Sequence, residues 1–188
     1  VGSDDKKEHV LSLGAKGVLN RKDFNCWGQL PTVNGPEFKD YMKESRKFGK
    51  AIWELTDKKD VDIVFEHPGE STFPVSVFVV KRGGMVVICA GTTGFNLTMD
   101  ARFLWMRQKR VQGSHFANLK QASAANQLVI NRRIDPGMSE VFPWEDIPAA
   151  HDKMLDNKHL PGNMAVLVTS PKPGLRTVED VLAVNGQA

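Results

Sequence analysis

Cysteine is scarce in this chain: Cys26 and Cys89 are the only two among 188 residues. They lie far apart and form no Cys-x-x-Cys pair, so neither a disulfide framework nor a zinc knuckle is indicated, and reduced thiols are expected. The histidines (His9, His67, His115, His151, His159) lack the pair spacing of zinc ligands, so no metal is expected. Charge of one sign is also missing. Lys and Arg number 25 against 22 Asp and Glu, a net +3 spread evenly, with no basic stripe and no interleaved aromatics, which argues against a nucleic-acid partner. No apolar run approaches the roughly 20 residues needed to cross a bilayer. The opening VGSDDKKEH has no apolar core behind a basic start, so it is not a secretory signal, and a cytoplasmic protein is expected. Repeats and low-complexity stretches are absent too. So is the Gly-x-Gly-x-x-Gly turn of a dinucleotide site, because the one double glycine, Gly83-Gly84, precedes a strand rather than following one.

What is present is an alternation. Apolar residues make up 41% and charged residues 25%, a balance that suits one globular domain, or one domain and part of a second. Val1-Gly2-Ser3 reads as the end of a strand. A helix follows from Asp4 to about Leu13, stopped by Gly14, and then a short strand over 17–20. The chain thus starts inside a β-α-β unit. Residues 22–47 interrupt the rhythm with a polar stretch holding Gly28, Pro31, Gly35 and Pro36, long enough to be a functional loop or an interface. Phe38, Tyr41, Met42, Phe48, Ile52 and Leu55 fall near helical spacing and predict a helix over 37–55.

After that come VDIVFE (61–66), a helix over 70–80, a turn at 82–84 and MVVICAG (85–91). A helix over 99–109, a strand over 110–115 and a helix over 119–131 follow. Strands that are apolar throughout and separated by helices predict a parallel sheet covered on both faces: an α/β, doubly wound, Rossmann-type nucleotide-binding domain. Past Asp135-Pro136-Gly137 the style changes to a strand, an amphipathic helix over 146–157, a strand over 163–168 and a tail with Pro171 and Pro173. The expected boundary lies at 136.

Ligands in open α/β sheets bind beyond the carboxyl ends of the strands. Five such ends are available: Gly2-Ser3, Asn20-Arg21, Glu66 to Gly69, Ala90 to Gly94, and Gly113-Ser114-His115. They are rich in glycine and small hydroxyl residues, which suits a backbone that must approach a ligand closely. At the first two ends, Ser3, Lys6 and Arg21 offer a hydroxyl and two cations, the chemistry of a 2′-phosphate site and therefore of NADP rather than NAD. Asp4 and Asp5 oppose this, although acids are also ordinary at a helix start. Lys6 equally fits a solvated helix face.

Two segments carry a family resemblance, DVDIVFEHPGESTFPVSVFVVKRGGMVVICAGTTG and ARFLWMRQKRVQGSHFANLKQASAANQLV, together with the insertion that ends in RKFGKAIWELT. Through them the chain resembles the zinc-independent medium-chain dehydrogenase/reductase superfamily and, within it, the crotonyl-CoA carboxylase/reductase family. FEHPG and GSHFAN together are the specific signature. The resemblance covers nearly the whole chain. It implies that residues 1–136 are a dinucleotide-binding domain truncated at its start, with the insertion at about 22–47. Residues 137–188 would be a return segment of the catalytic domain.

The resemblance further implies NADPH-dependent reductive carboxylation of a 2-enoyl-CoA, crotonyl-CoA and carbon dioxide giving ethylmalonyl-CoA, in a homotetramer. His115 matches the family histidine that helps hold carbon dioxide, where an imidazole N–H stabilises the forming carboxylate. Glu66 and His67 would sit beside the nicotinamide ribose, or instead cap the helix that starts near Pro68. Ala90, Gly91 and Thr92 would line the nicotinamide side, with Ser114 also at the cofactor. Arg102, Arg107, Lys109 and Arg110 fit a solvated helix face better than a phosphate site. Two other functions stay open: a plain NADPH-dependent enoyl-CoA reductase, and an inactive structural or oligomerisation fragment.

Overall fold

The computed structural model describes residues 1–168, and the Pro171–Pro173 tail read from the sequence lies outside them. The chain divides into two compact units, Val1–Phe116 and Ala117–Ala188.

The first unit begins with a 3-10 turn, Asp4–Lys6, that runs into α1 (Lys7–Ser12). The expected strands on either side are extended segments rather than regular strands, yet they pair. Val1 donates its amine to Leu19 O at 2.8 Å, and Arg21 N–H donates to Val1 O at 2.9 Å. That two-bond pattern is a parallel bridge. α2 (Phe38–Leu55) matches its sequence pattern, burying Tyr41, Met42 and Ser45 on one stripe.

The core sheet is parallel, in the order β1 (Val61–Glu66), β2 (Val80–Ile88), β3 (Arg110–Gly113). α3 (Phe73–Val79) links the first two strands and α4 (Ala101–Trp105) the last two. The expected turn at 82–84 lies inside β2 as an irregularity in its pairing with β1, where Gly83 takes φ +71° and a side chain on Gly84 would strike Asp62 O. The expected helices at 70–80 and 99–109 shorten to α3 and α4.

Phe73, Val77, Val80 and Val86 form a buried cluster with Val64, Ile88 and Phe103 against it. Each such side chain contributes about 1.5–3 kcal/mol through its burial. A second cluster joins α2 and α3 through Cys26, Tyr41, Met42 and Val75. Within this unit α3 covers one face of β1. Val64 points into the core, whereas Ile63 and Phe65 are 63% and 69% exposed. Side chains alternate across a strand, and within this unit Val64, Val86 and Ile88 share one face with α3.

The second unit holds α5 (Leu119–Ile130), β4 (Met138–Pro143), α6 (Ile147–Leu155) and β5 (Asn163–Leu167). α5 opens on a capping box in which Asn118 and Gln121 satisfy each other's backbone N–H groups. β4 and β5 pair in parallel, and Lys153 of α6 forms an ion pair with Glu140 of β4. The sequence boundary at 136 falls inside this unit. α5 groups with β4 to β5, and none of its residues is buried.

Candidate functional site

The carboxyl ends of the three core strands fall in one row. Glu66 pairs with Ile88, and Ile88 with Gly113. The ladder extends one step further, with Cys89 N–H donating to Glu66 O at 3.2 Å and Ser114 N–H to Ile88 O at 2.8 Å. His67, Ala90 to Thr92, and Ser114 with His115 therefore leave the sheet from one edge. His67, Thr92, Ser114 and His115 are exposed there. The His115 ring lies against Phe116, with centroids 3.8 Å apart and planes at 41°.

The N-terminal pair is joined to the loop after β1 by two neighbouring residues. Neighbouring residues Trp27 and Gly28 donate to Arg21 O at 2.7 Å and to Ser71 O at 2.7 Å. This sets Arg21 beside the loop that follows β1. The Arg21 guanidinium lies over Gly2, where an added Cβ would meet Nε at 3.6 Å. Lys6 is exposed on the first turn. Ser3 is half-buried, and its hydroxyl, close to Asp5, favours that acid's charged form and holds it below its usual range. The opposing acids are partly occupied: Asp4 pairs with Lys7 at 2.7 Å and accepts from Asn20 Nδ2 at 3.0 Å. Arg21 is thus tied to the loop after β1 through Trp27 and Gly28, and its guanidinium lies beside Gly2, next to Ser3 in the chain.

Glu66 does not face that edge. Its side chain is buried, and Oε1 accepts from Gly69 N–H at 2.9 Å and Thr72 Oγ1 at 2.6 Å, while Oε2 accepts from Ser76 Oγ at 2.5 Å. A carboxylate with three donors anchors the loop and the first turn of α3. Of the two sequence readings, the helix-start role describes its contacts. Sequence reasoning passed over Thr72 and Ser76, although a serine inside the apolar run FPVSVFV was the available signal.

The loops themselves interlock. Gly69, at φ +87°, packs so closely on Gly91 and Gly94 that a Cβ would sit 2.8 Å from Gly94 O. Thr93 N–H and Oγ1 both donate to Pro68 O at 2.8 Å. Three residues of the basic run are tied down. Arg102 is bidentate to Asp100, and Arg110 donates to Gly83 O. Lys109 Nζ donates to Val77 O at 2.7 Å and Phe78 O at 2.8 Å, which satisfies carbonyls at the end of α3. Burial lowers the Lys109 pKa to about 8.

The sequence model of the zinc-binding dehydrogenase family matches residues 1–131. The chain belongs to that family. A crotonyl-CoA carboxylase/reductase from Cereibacter sphaeroides is 69% identical over the whole chain, which spans 44% of that relative. The solved structure of a crotonyl-CoA carboxylase/reductase superposes with a TM-score of 0.88 at 71% identity, over 98% of this chain and 43% of the other. That of a 2-octenoyl-CoA carboxylase reductase, in complex with NADP and 2-octenoyl-CoA, gives 0.80 at 34% identity over 98% and 40%. The chain thus spans less than half the length of the relatives it matches. The family name implies zinc, but among the described residues no three His, Cys, Asp or Glu side chains are gathered where they could hold a metal. Nor is any helix among them long and apolar enough to cross a membrane.

Proposed function

We propose that this chain is part of an NADPH-dependent reductive carboxylase of 2-enoyl-CoA thioesters. Residues 1–136 supply most of the dinucleotide-binding domain and residues 137–188 a return segment of the catalytic domain. The observation that carries the reading is the common row of strand ends. It brings His67, Ala90 to Thr92, Ser114 and His115 to one edge, with Arg21 beside it. The 69% identity to a carboxylase/reductase supports the assignment of chemistry.

Arg21 and Lys6 fit a 2′-phosphate, with Ser3 next to them. Backbone groups of Ala90, Gly91 and Thr92, with His67 and Ser114, fit the nicotinamide half, while Glu66 acts on it only through the loop it anchors. When bound, NADPH supplies hydride to the β-carbon of the enoyl thioester. The enolate left at the α-carbon attacks carbon dioxide. An N–H of His115 donates to one oxygen of carbon dioxide, polarises the carbon and stabilises the carboxylate as it forms. No proton transfer by His115 is required. The same reading makes the assembled protein a cytoplasmic homotetramer that forms ethylmalonyl-CoA from crotonyl-CoA.

A plain enoyl-CoA reductase is the second reading. It is supported by a 40% identical relative, a crotonyl-CoA reductase from Streptomyces avermitilis. Product identity separates the two. The full-length polypeptide is given crotonyl-CoA, NADPH and isotopically labelled bicarbonate, and the thioester product is weighed. Labelled ethylmalonyl-CoA is expected. Butyryl-CoA alone, at saturating bicarbonate, would overturn carboxylation.

A further inference from the structure

The segment 24–30 precedes α2 and belongs to no regular element, yet its backbone and side chains reach both strand-end loops. Gly28, at φ +108°, turns its N–H onto Ser71 O at 2.7 Å. Leu30 N–H donates to Thr98 Oγ1 at 3.0 Å, in the loop after β2. Between them, Gln29 Nε2 donates to Glu70 Oε1. The other oxygen of Glu70 accepts Asn96 N–H at 3.3 Å. Glu70 N–H in turn donates to Gly94 O at 3.3 Å. The Glu70 side chain fills the space over Gly94, where a Cβ would lie 2.0 Å from Oε2.

We propose that Glu70 is a positioning residue that clamps the loops after β1 and β2 to the insertion, with Gln29 as its partner, and so fixes the wall against which the nicotinamide cofactor lies. This rests on the cofactor reading given above. The geometry behind it is a three-way junction. One carboxylate holds the insertion with Oε1 and the 90–96 loop with Oε2, while its own backbone stays on the β1–α3 loop. Neither residue needs to touch the cofactor. Freeing either contact lets the 90–96 loop sample other positions, which weakens cofactor binding without altering the reacting groups. The insertion thereby has a function at the site although it lies outside the sheet.

The test is a charge swap across the contact in the full-length polypeptide. Gln29→Glu sets two carboxylates against each other. Gln29→Ala removes only the donor. The swap Gln29→Glu with Glu70→Gln keeps one donor and one acceptor across the contact and still leaves an oxygen for Asn96 N–H. The expected result is an NADPH KM raised about tenfold in Gln29→Glu and less in Gln29→Ala, with kcat within about twofold, and recovery in the swap. Amide exchange at Gly94 and Asn96 accelerates in the single variants and returns in the swap. Unchanged KM and exchange in both single variants would overturn the clamp, as would a swap no better than Gln29→Glu. A parent enzyme that does not oxidise NADPH removes the cofactor reading instead, and the exchange measurement then decides the clamp alone.

Discussion

Glu66 and Ser76 share a buried hydrogen bond of 2.5 Å between the end of β1 and the middle of α3. With Gly69 and Thr72 it satisfies a carboxylate that is only 2% exposed. A neutral amide keeps an oxygen for Gly69 and Thr72 and turns the Ser76 hydroxyl from donor into acceptor. Glu66→Gln is expected to cost about 1–2 kcal/mol, since hydrogen bonds to a buried charge become weaker neutral ones. Urea unfolding of the chain measures it, as a lower midpoint at an unchanged slope.

Arg21 and Lys6 give a different readout. If they meet the 2′-phosphate, Arg21→Ala weakens NADPH binding in the full-length polypeptide about tenfold or more and leaves NADH nearly unchanged, because only NADPH carries that group. Titration with both nucleotides checks it. Equal losses for the two would place Arg21 elsewhere.

On the proposed reading, His115→Ala tests the carboxylation step in isolation. A lost donor to a developing oxyanion costs on the order of a hundredfold in the step it serves. Ethylmalonyl-CoA should fall against butyryl-CoA while NADPH oxidation continues. The product ratio by mass spectrometry, at saturating bicarbonate, is the measurement.

Lys109 carries a pH dependence whose sign follows from its burial. Desolvation lowers its folded pKa from 10.5 to about 8, with Arg107 adding a smaller push in the same direction. Between those values the unfolded chain binds more protons than the folded one, so stability rises with pH. The gain is complete above the unfolded pKa and is lost as pH falls through about 8. Melting temperatures of the chain and of Lys109→Met from pH 7 to 10 should diverge in that direction.

Burial pushes the Cys26 thiol up to about 11. Its labelling by a disulfide reagent at pH 8 should be on the order of a hundredfold slower than that of a free thiol. Fast labelling would show that the α2–α3 cluster opens readily.

The parallel α/β order was legible in the chain because the apolar runs 61–66 and 85–91 and the short segment 110–115 are separated by helical stretches of the right length. Hydrophobic periodicity acts over a few residues and is written locally. The same holds for α2, whose Tyr41 and Met42 stripe survives intact, and for α5, with its Asn118 cap. The strand ends, and with them His67, Ala90 to Thr92, Ser114 and His115, followed from that order and a general rule of such sheets. What the sequence could not decide was direction and partnership at distance. Whether Glu66 faced the edge or the core depended on Thr72 and Ser76 folding under it. That Lys109 caps α3 rather than lying on a solvated face depended on contacts more than thirty residues away. That Gln29 meets Glu70 depended on how the insertion crosses the loops. Those outcomes come from burying charge with enough donors, a condition only the packed structure can satisfy.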